Sequence, residues 1–341
     1  MDIVDVAKLA GVSITTVSRV LNNVPTVKEY NKKNVLAAIK QLGYKPNIVA
    51  RRLASKHRQN TVGLLIPPFE EMFGSFFVSE VLKGINEASS KLGYDLLLYI
   101  AQDKQGMELL RGDIMNPSFI SGILFADLDG NAKLLDTLAA EGIPFVVMNN
   151  YFETIPISCI GIDNKKAVIE VVDYLVKLGH KRIATITGNL ETQSARKRLE
   201  GFRVGLRKHG IAAKEDFIIQ GDYTRESARR SMKKLLSQKP TPSAVFVASD
   251  EMAQGAIEAV FEKGLKIPGD ISMVGFDDSY IASLGVVPLT TVHQPLAEMG
   301  RKAVEMLSQL MANEKKPPLK MFLKAKLIER ISTRRYSGDA R

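Results

Sequence analysis

The chain has 341 residues, of which 45% are hydrophobic and 25% charged, and its formal net charge is +10. This composition excludes a disordered chain, and the length allows two or three domains with their own cores. The single cysteine, Cys159, excludes a disulfide framework and a cysteine-rich metal site. The sequence shows neither a membrane-spanning apolar run nor a signal-peptide pattern, so we expect a cytoplasmic protein.

The positive charge is concentrated at the two ends of the chain. Residues 1–60 hold 11 Lys and Arg against 3 Asp and Glu, and residues 315–341 hold 9 against 2, whereas residues 61–314 hold 27 against 32. A small basic segment suits a polyanion better than a small substrate, although a solvated basic face without a partner has the same composition. The basic C-terminal segment fits either a solvated terminus or a nonspecific attraction to DNA.

Residues 1–46 predict a small all-α domain. Apolar spacing predicts a helix over 5–10 and a second over 14–21, separated by a turn at Gly11. A third helix is expected to begin at Thr26, in a capping box with Glu29. The first two helices have the spacing of a helix-turn-helix, whose second helix lies in the DNA major groove.

The second helix carries side chains suited to reading DNA. Arg19 can pair with guanine, and Ile14 can contact a thymine methyl group. Ser13 can cap the helix, while hydroxyl groups that can bond to bases or phosphates come from Thr15, Thr16 and Ser18. A helical domain that binds another protein is the alternative.

Residues 47–60 predict a short basic helix and a linker. Asn47 can cap a helix over 48–55 of only about two turns. Such a helix is marginal alone in water, so a partner would be needed to order it.

From residue 61 onward, short apolar runs alternate with helical stretches, which predicts an α/β core of parallel sheets with helices on both faces. Such a long core favours two lobes with a cleft between them. We expect an N-lobe of about 61–161 plus 292–322 and a C-lobe of about 162–291 plus 323–335. Strands are predicted at 62–66, 96–100, 122–126, 144–148, 183–187, 244–248, 271–276 and 320–329. Helices are predicted at 76–92, 105–115, 132–140, 165–178, 195–209, 226–236, 250–263 and 296–311.

Several runs of the sequence closely resemble the lactose-repressor/galactose-repressor (LacI/GalR) family of bacterial transcription regulators. They are DVAKLAGVSITTVSRVLN, LGYKPNIVARRLAS, YLVKLGHKRIATITG, SARKRLEGF, FVASDEMAQGA, IPGDISMVGFDDS and PLTTVHQP. The resemblance extends over essentially the whole chain. It implies a DNA-binding head, a hinge helix and a two-lobed effector-binding core like that of a periplasmic sugar-binding protein.

The resemblance also implies roles for residues of the hinge. Leu53 matches the leucine that family members wedge between base pairs in the minor groove, with Ala50 beside it. An apolar wedge of this kind kinks DNA at a cost that added contacts offset. Asn47 and Arg51 would lie near the DNA, whereas an ordinary interface leucine is the alternative for Leu53.

In the core, the resemblance implies an effector site in the cleft. Arg198 and Asp277 match effector-binding residues of the family, and Tyr223 matches an aromatic residue that often covers the ligand. The remaining candidates are Phe77, Asn149, Ser194, Arg196, Ser249 and Asp250. Planar polar groups beside aromatic rings suit a sugar. Ser249 and Asn149 depart from the lactose-repressor pattern, so lactose-like specificity does not follow.

Structural roles are the alternatives for this set. Arg198 and Asp277 could form a salt bridge, and Tyr223 and Phe77 could pack in the lobe cores. The sequence lacks the phosphate-loop, HExxH and GxSxG motifs, and the adjacent Asp277 and Asp278 lack the opposed geometry of glycosidase carboxylates. We therefore expect no enzyme activity, no metal and no cofactor.

The sequence thus predicts a ligand-responsive repressor of carbohydrate-utilisation genes. Its expected partners are palindromic double-stranded operator DNA, a sugar inducer and a second copy of the chain. A homodimer is favoured because residues 330–341 contain no apolar heptads for a tetramerising coiled coil. The alternatives are a co-repressed regulator, whose ligand (a nucleobase or a phosphoprotein) strengthens DNA binding, and a plain sugar-binding protein.

Overall fold

The computed structural model describes residues 2–21, 24–44, 60–66, 75–100, 120–126, 142–153, 155–312 and 317–338. The chain divides into two compact units, residues 1–59 and 60–341. The hinge residues Asn47, Ala50, Arg51 and Leu53 lie outside the described residues, as do the predicted helices 105–115 and 132–140. Within the described ranges, no helix combines the length and apolar character needed to cross a bilayer.

The head is a three-helix unit, with α1 at Ile3–Ala10, α2 at Ile14–Leu21 and α3 at Glu29–Leu42. Its small core is formed by apolar residues from all three helices, including Val6, Val17, Val20 and Val35. The Asp2 carboxylate caps α1 by accepting from the backbone of Val4 and Asp5, and Gly11 ends the helix with a φ of 63°. These contacts fix the two ends of α1 and therefore the short turn into α2.

The predicted capping box at the start of α3 is wrong. The helix begins at Glu29, and its N-cap is Lys28, which makes no capping hydrogen bond through its side chain. The backbone of Val27 instead bonds to Val24 in a preceding turn, which leaves Thr26 outside the helix.

The first sheet of the core is parallel and has the strand order β11-β5-β4-β3-β1-β2. Its strands are β1 (Thr61–Ile66), β2 (Asp95–Ile100), β3 (Gly122–Ala126), β4 (Phe145–Met148), β5 (Cys159–Ile162) and β11 (Lys320–Leu323). The apolar faces of α4 (Phe76–Leu92) and α10 (Leu296–Ala312) pack together beside it. A Cβ at Gly84 would lie 1.9 Å from the Ala297 carbonyl oxygen, so these helices meet backbone to backbone.

The second sheet is also parallel, with the order β7-β6-β8-β9. The strands are β6 (Ile183–Thr187), β7 (Ile218–Gln220), β8 (Ala244–Val247) and β9 (Ser272–Val274). The four long helices around it are α5 (Asn164–Lys177), α6 (Gln193–Lys208), α7 (Arg225–Ser237) and α8 (Asp250–Glu262). Alternate residues of β8 contribute to two different core clusters, because successive side chains of a strand point to opposite faces. Helices therefore cover both faces of this sheet.

Within the described ranges, the chain passes between the two sheets three times. The first passage follows β5, which runs through Ile162, one residue beyond the expected lobe boundary. The second joins β10 (Thr291–His293) to α10, and the third joins β11 to β12 (Lys326–Ile328). β10 and β12 pair in an antiparallel manner, so two of the passages are hydrogen-bonded to each other.

Candidate functional site

In the head, α2 presents a polar face to the surface. Ser13, Ile14, Thr15 and Arg19 are exposed, whereas Val17 and Val20 on the opposite side are buried. The fold therefore leaves the Arg19 guanidinium and the Ile14 side chain outside the head core, where they are exposed to solvent.

The remaining polar candidates of α2 contribute to its first turn and its flank. Ser13 Oγ accepts from the Thr16 backbone at 3.2 Å and lies 2.9 Å from Thr16 Oγ1. Thr16 and Ser18 are only half-buried. Ser13 thus caps the helix, as its position predicted, and its hydroxyl is already engaged with Thr16.

In the core, Arg198 of α6 is 5% exposed and fully oriented by its neighbours. Its Nε donates to Asn164 Oδ1 at 2.8 Å and its Nη1 to the Ala248 carbonyl at 2.6 Å. The guanidinium carbon lies 3.6 Å from the centre of the Phe276 ring. These contacts hold the cation in one geometry, as recognition of a polar ligand requires.

Asp277 follows β9 and adopts a left-handed φ of 115°. Its Oδ1 accepts from Gln294 Nε2 at 2.6 Å. Desolvation raises the pKa of Asp277 to about 6, while the positive charge of Arg198 and the Gln294 hydrogen bond oppose that shift. The Gln294 Oε1 is buried and has no hydrogen-bond partner among the described residues. Asp277 and Gln294 therefore place an acceptor and a desolvated amide oxygen close together.

Asp250 supports the loop that carries Asp277 and does not line the cleft. This position corrects its prediction as an effector residue. It is 0% exposed, and its two oxygens accept from Thr291 Oγ1 at 2.6 Å and from the Ser279 backbone at 2.8 Å. Desolvation raises its pKa to about 8, and the charge of Asp277 adds to the shift. Complete burial therefore keeps the Asp250 carboxylate from contacting a ligand in the cleft.

Tyr223 lies beside Ser194 at the start of α6. Its hydroxyl is 3.3 Å from Ser194 Oγ and 3.4 Å from Thr192 Oγ1. The ring covers Gly188 so closely that a Cβ there would lie 2.1 Å from it. Tyr223 has a φ of 74°. A left-handed backbone is unfavourable for tyrosine, so the surrounding contacts must hold this residue in place.

Asn149 and Ser249 lie at the carboxyl ends of β4 and β8, where open parallel sheets bind their ligands. Asn149 has a φ of 65°, and its backbone donates to Ile160 at 2.8 Å. Ser249 Oγ caps α8 by accepting from the Met252 backbone at 3.2 Å. The hydroxyl of Ser249 therefore has a structural role in addition to any contact with a ligand.

The remaining two predicted effector residues, Arg196 and Phe77, have different surroundings. The exposed Arg196 donates through Nη1 to the carbonyl oxygens of Leu190 and Glu191. Two residues span about half a helical turn, so Arg196 lies on the side of α6 opposite Ser194. Phe77, in the first turn of α4, is partly buried against the apolar core, so its contact with an effector stays a prediction. The position of Arg196 corrects its prediction as an effector residue.

Three residues that sequence reasoning missed complete the arrangement: Asn164, Phe276 and Gln294. Asn164 and Phe276 orient Arg198, and Gln294 orients Asp277. Their signal in the sequence was positional, because Phe276 directly precedes Asp277 and the other two lie where the chain leaves one sheet for the other.

Two family profiles match the chain. Residues 2–47 match the family described as "Bacterial regulatory proteins, lacI family", and residues 172–333 match the "Periplasmic binding protein-like domain". The chain is 34% identical over 313 residues to catabolite control protein A of Priestia megaterium, covering 92% of this chain and 93% of that relative.

Solved structures show the same architecture. The lac repressor dimer bound to operator and the anti-inducer ONPF is 30% identical, with a TM-score of 0.85 over 98% of this chain and 99% of that one. The complex of the transcriptional regulator CelR with cellobiose is 31% identical, with a TM-score of 0.76 over 97% of this chain and 99% of that one.

Proposed function

The chain belongs to the LacI family of bacterial regulatory proteins, and from this premise we propose a repressor that a sugar releases from its operator. A DNA-binding transcription regulator of this family acts as a dimer on operator DNA. The sugar effector, its inducing action and the residues of both sites are our own assignments.

One observation carries the assignment of a sugar. Arg198 and Asp277 are each held by hydrogen bonds to neighbouring side chains, and Tyr223 lies in the same lobe beside a buried serine hydroxyl. A fixed cation, a carboxylate and an aromatic ring match a ligand with hydroxyl groups on its edge and C–H groups on its face. Asn149 and Ser249 would add polar groups at the ends of their strands.

We assign DNA reading to α2. Arg19 would contact guanine and Ile14 a thymine methyl group, with hydroxyl contacts from Ser13, Thr15, Thr16 and Ser18. The hinge residues Asn47, Ala50, Arg51 and Leu53 would enter the minor groove when two subunits bind a palindromic site.

In this mechanism the effector acts by changing how far the two lobes close on each other. Lobe closure would alter the spacing of the two hinge segments and therefore the affinity for the operator. The coupling is reciprocal, so bound operator must weaken an inducer by the same factor, which is typically about 5–150-fold.

The decisive experiment has two stages. In vitro selection with the full chain yields a palindromic site, and titrations with that site then measure operator affinity against a panel of neutral sugars, sugar acids and nucleobases. We expect one sugar to weaken operator binding, and the operator to weaken that sugar equally. Equal sugar affinity with and without operator would contradict the mechanism.

The same titrations test the co-repressed alternative, in which the ligand tightens operator binding. The head argues against a plain sugar-binding protein, because such a protein has no use for a helix-turn-helix. A non-enzymatic role fits Asp278, whose carboxylate lies 2.6 Å from Arg330 and 3.0 Å from His293, so it is paired away from Asp277. As a DNA-binding regulator, the protein would act in the bacterial cytoplasm.

A further inference from the structure

The two lobes are joined at one side of the cleft by a pair of hydrogen bonds from a single side chain. Gln193, the first residue of α6 in the C-lobe, accepts from the Tyr151 backbone N–H at 2.8 Å and donates to the Tyr151 carbonyl at 3.0 Å. Tyr151 follows β4 in the N-lobe. One amide group therefore satisfies both backbone groups of a residue in the opposite lobe.

Both ends of this contact are firmly supported. The ring of Tyr151 stacks on Phe322 at a centroid distance of 4.0 Å, and Lys320 donates to the carbonyls of Phe152 and Glu153. Gln193 directly follows Thr192, which caps α6. Because Gln193 and Tyr151 are each anchored in their own lobe, a movement of one lobe away from the other would break both hydrogen bonds.

The contact also lies beside the candidate effector residues in the sequence. Gln193 precedes Ser194 and shares α6 with Arg198, while Tyr151 lies two residues after Asn149. Opening the lobes at this side would separate Asn149 from the C-lobe residues. A second contact between lobes is apolar: the Phe76 and Tyr280 rings pack edge to face at 6.3 Å.

We propose that Gln193 is a positioning residue that latches the two lobes together, so that polar groups from both face the same effector. It acts through the backbone of Tyr151 and needs no contact with the effector. Two hydrogen bonds of ordinary strength bias an opening equilibrium by roughly 5- to 150-fold. The proposed function enters this inference only in the claim that the closed lobes bind an effector. The contact between Gln193 and Tyr151 itself requires neither DNA nor effector.

The test measures the distance between the lobes in the full chain without ligand or DNA. Nitroxide labels at Glu153→Cys and Lys197→Cys report across the latch, and the buried Cys159 escapes labelling. Dilution with unlabelled subunits isolates distances within one chain. We expect one narrow distance distribution for the parent chain, and a gain of longer distances in Gln193→Ala.

Two further variants make the result specific. Gln193→Glu keeps the size of the side chain but places a carboxylate against the Tyr151 carbonyl, so it should also open the lobes. Arg203→Ala is the matched control, because it removes two hydrogen bonds from α6 to Glu215 within the C-lobe. Its distances should equal those of the parent chain.

Thermal unfolding of each variant verifies that it is folded. Parent-like distances in Gln193→Ala would overturn the proposal. So would an equal shift in Arg203→Ala, because that result would indicate general loosening of α6. Since neither operator nor sugar is present, the latch can fail while the repressor function stands, and the reverse.

Discussion

At the scale of single residues, Arg19 carries the sharpest expectation for DNA recognition. It is exposed on α2, on the side opposite the buried Val17 and Val20. We predict that Arg19→Ala costs about 1–3 kcal/mol and relaxes preference at one base position of the selected site. Competition binding against single-base variants of that site measures both effects. An unchanged preference at every position would exclude direct reading by Arg19.

His180 gives a second prediction at this scale, for stability against pH. It is 2% exposed, with Nδ1 3.0 Å from Ser243 Oγ and Nε2 3.1 Å from the Arg334 carbonyl. Desolvation lowers its pKa, partly opposed by the hydrogen bond to the Arg334 backbone. The folded state therefore holds fewer protons than the unfolded chain, so its stabilising contribution is complete above about pH 6.5 and is lost as the pH falls below that value.

Urea unfolding at pH 7.5 and 5.5 tests the His180 prediction. The stability advantage of the parent chain over His180→Gln should shrink by up to about 1.4 kcal/mol for each pH unit below 6.5. Loss of the same free energy from both proteins would assign the pH dependence to other groups.

At the scale of elements, the close packing of α4 against α10 leaves no room for an added side-chain atom at Gly84. A Cβ at Gly84 would meet the backbone carbonyl of Ala297, which cannot rotate away. We predict that Gly84→Ala lowers the free energy of unfolding by about 1–3 kcal/mol, despite the better helix propensity of alanine. Chemical denaturation measures the change. Lys83→Ala, on the exposed side of the same helix, should stay within about 0.5 kcal/mol.

At the scale of the whole molecule, residues 330–336 of the basic C-terminal segment pack into the C-lobe. Ser332 is 0% exposed, donates to the Met273 carbonyl at 2.6 Å and accepts from the Thr290 backbone at 2.8 Å. Arg330 bonds to Asp278, and the Tyr336 hydroxyl accepts from Arg182 at 3.0 Å. These hydrogen bonds attach residues 330–336 to the C-lobe, so this part of the chain contributes to the stability of the fold.

We predict that removal of residues 330–341 lowers the free energy of unfolding by more than about 3 kcal/mol, because it leaves several buried donors and acceptors without partners. Removal of only 337–341 should change it by less than about 0.5 kcal/mol. Thermal and urea unfolding of the two truncated chains make the comparison. Equal stability of both would mean that the segment is dispensable for the fold.

The sequence by itself determined the helix-turn-helix head, the alternating core and the family. These follow from local signals: apolar periodicity, turn residues and runs of family motif. The long helices and buried strands that the structure describes lie within a few residues of their predicted bounds, whereas the short β5, β7, β10 and α9 (Tyr280–Leu284) were missed, because three to five residues carry too little periodicity. The single strand predicted at 320–329 is wrong: the chain leaves one sheet for the other within it and forms β11 and β12.

Only the tertiary structure decided which members of the motifs face the candidate site. Ser194, Arg196 and Arg198 lie on one short stretch of α6, yet Arg196 bonds to its own loop while Arg198 is held by Asn164 and Phe276 from elsewhere in the chain. The two adjacent carboxylates likewise have different partners: Asp277 accepts a hydrogen bond from Gln294, and Asp278 accepts one from Arg330. Side-chain direction depends on partners distant in sequence, and a motif does not contain them.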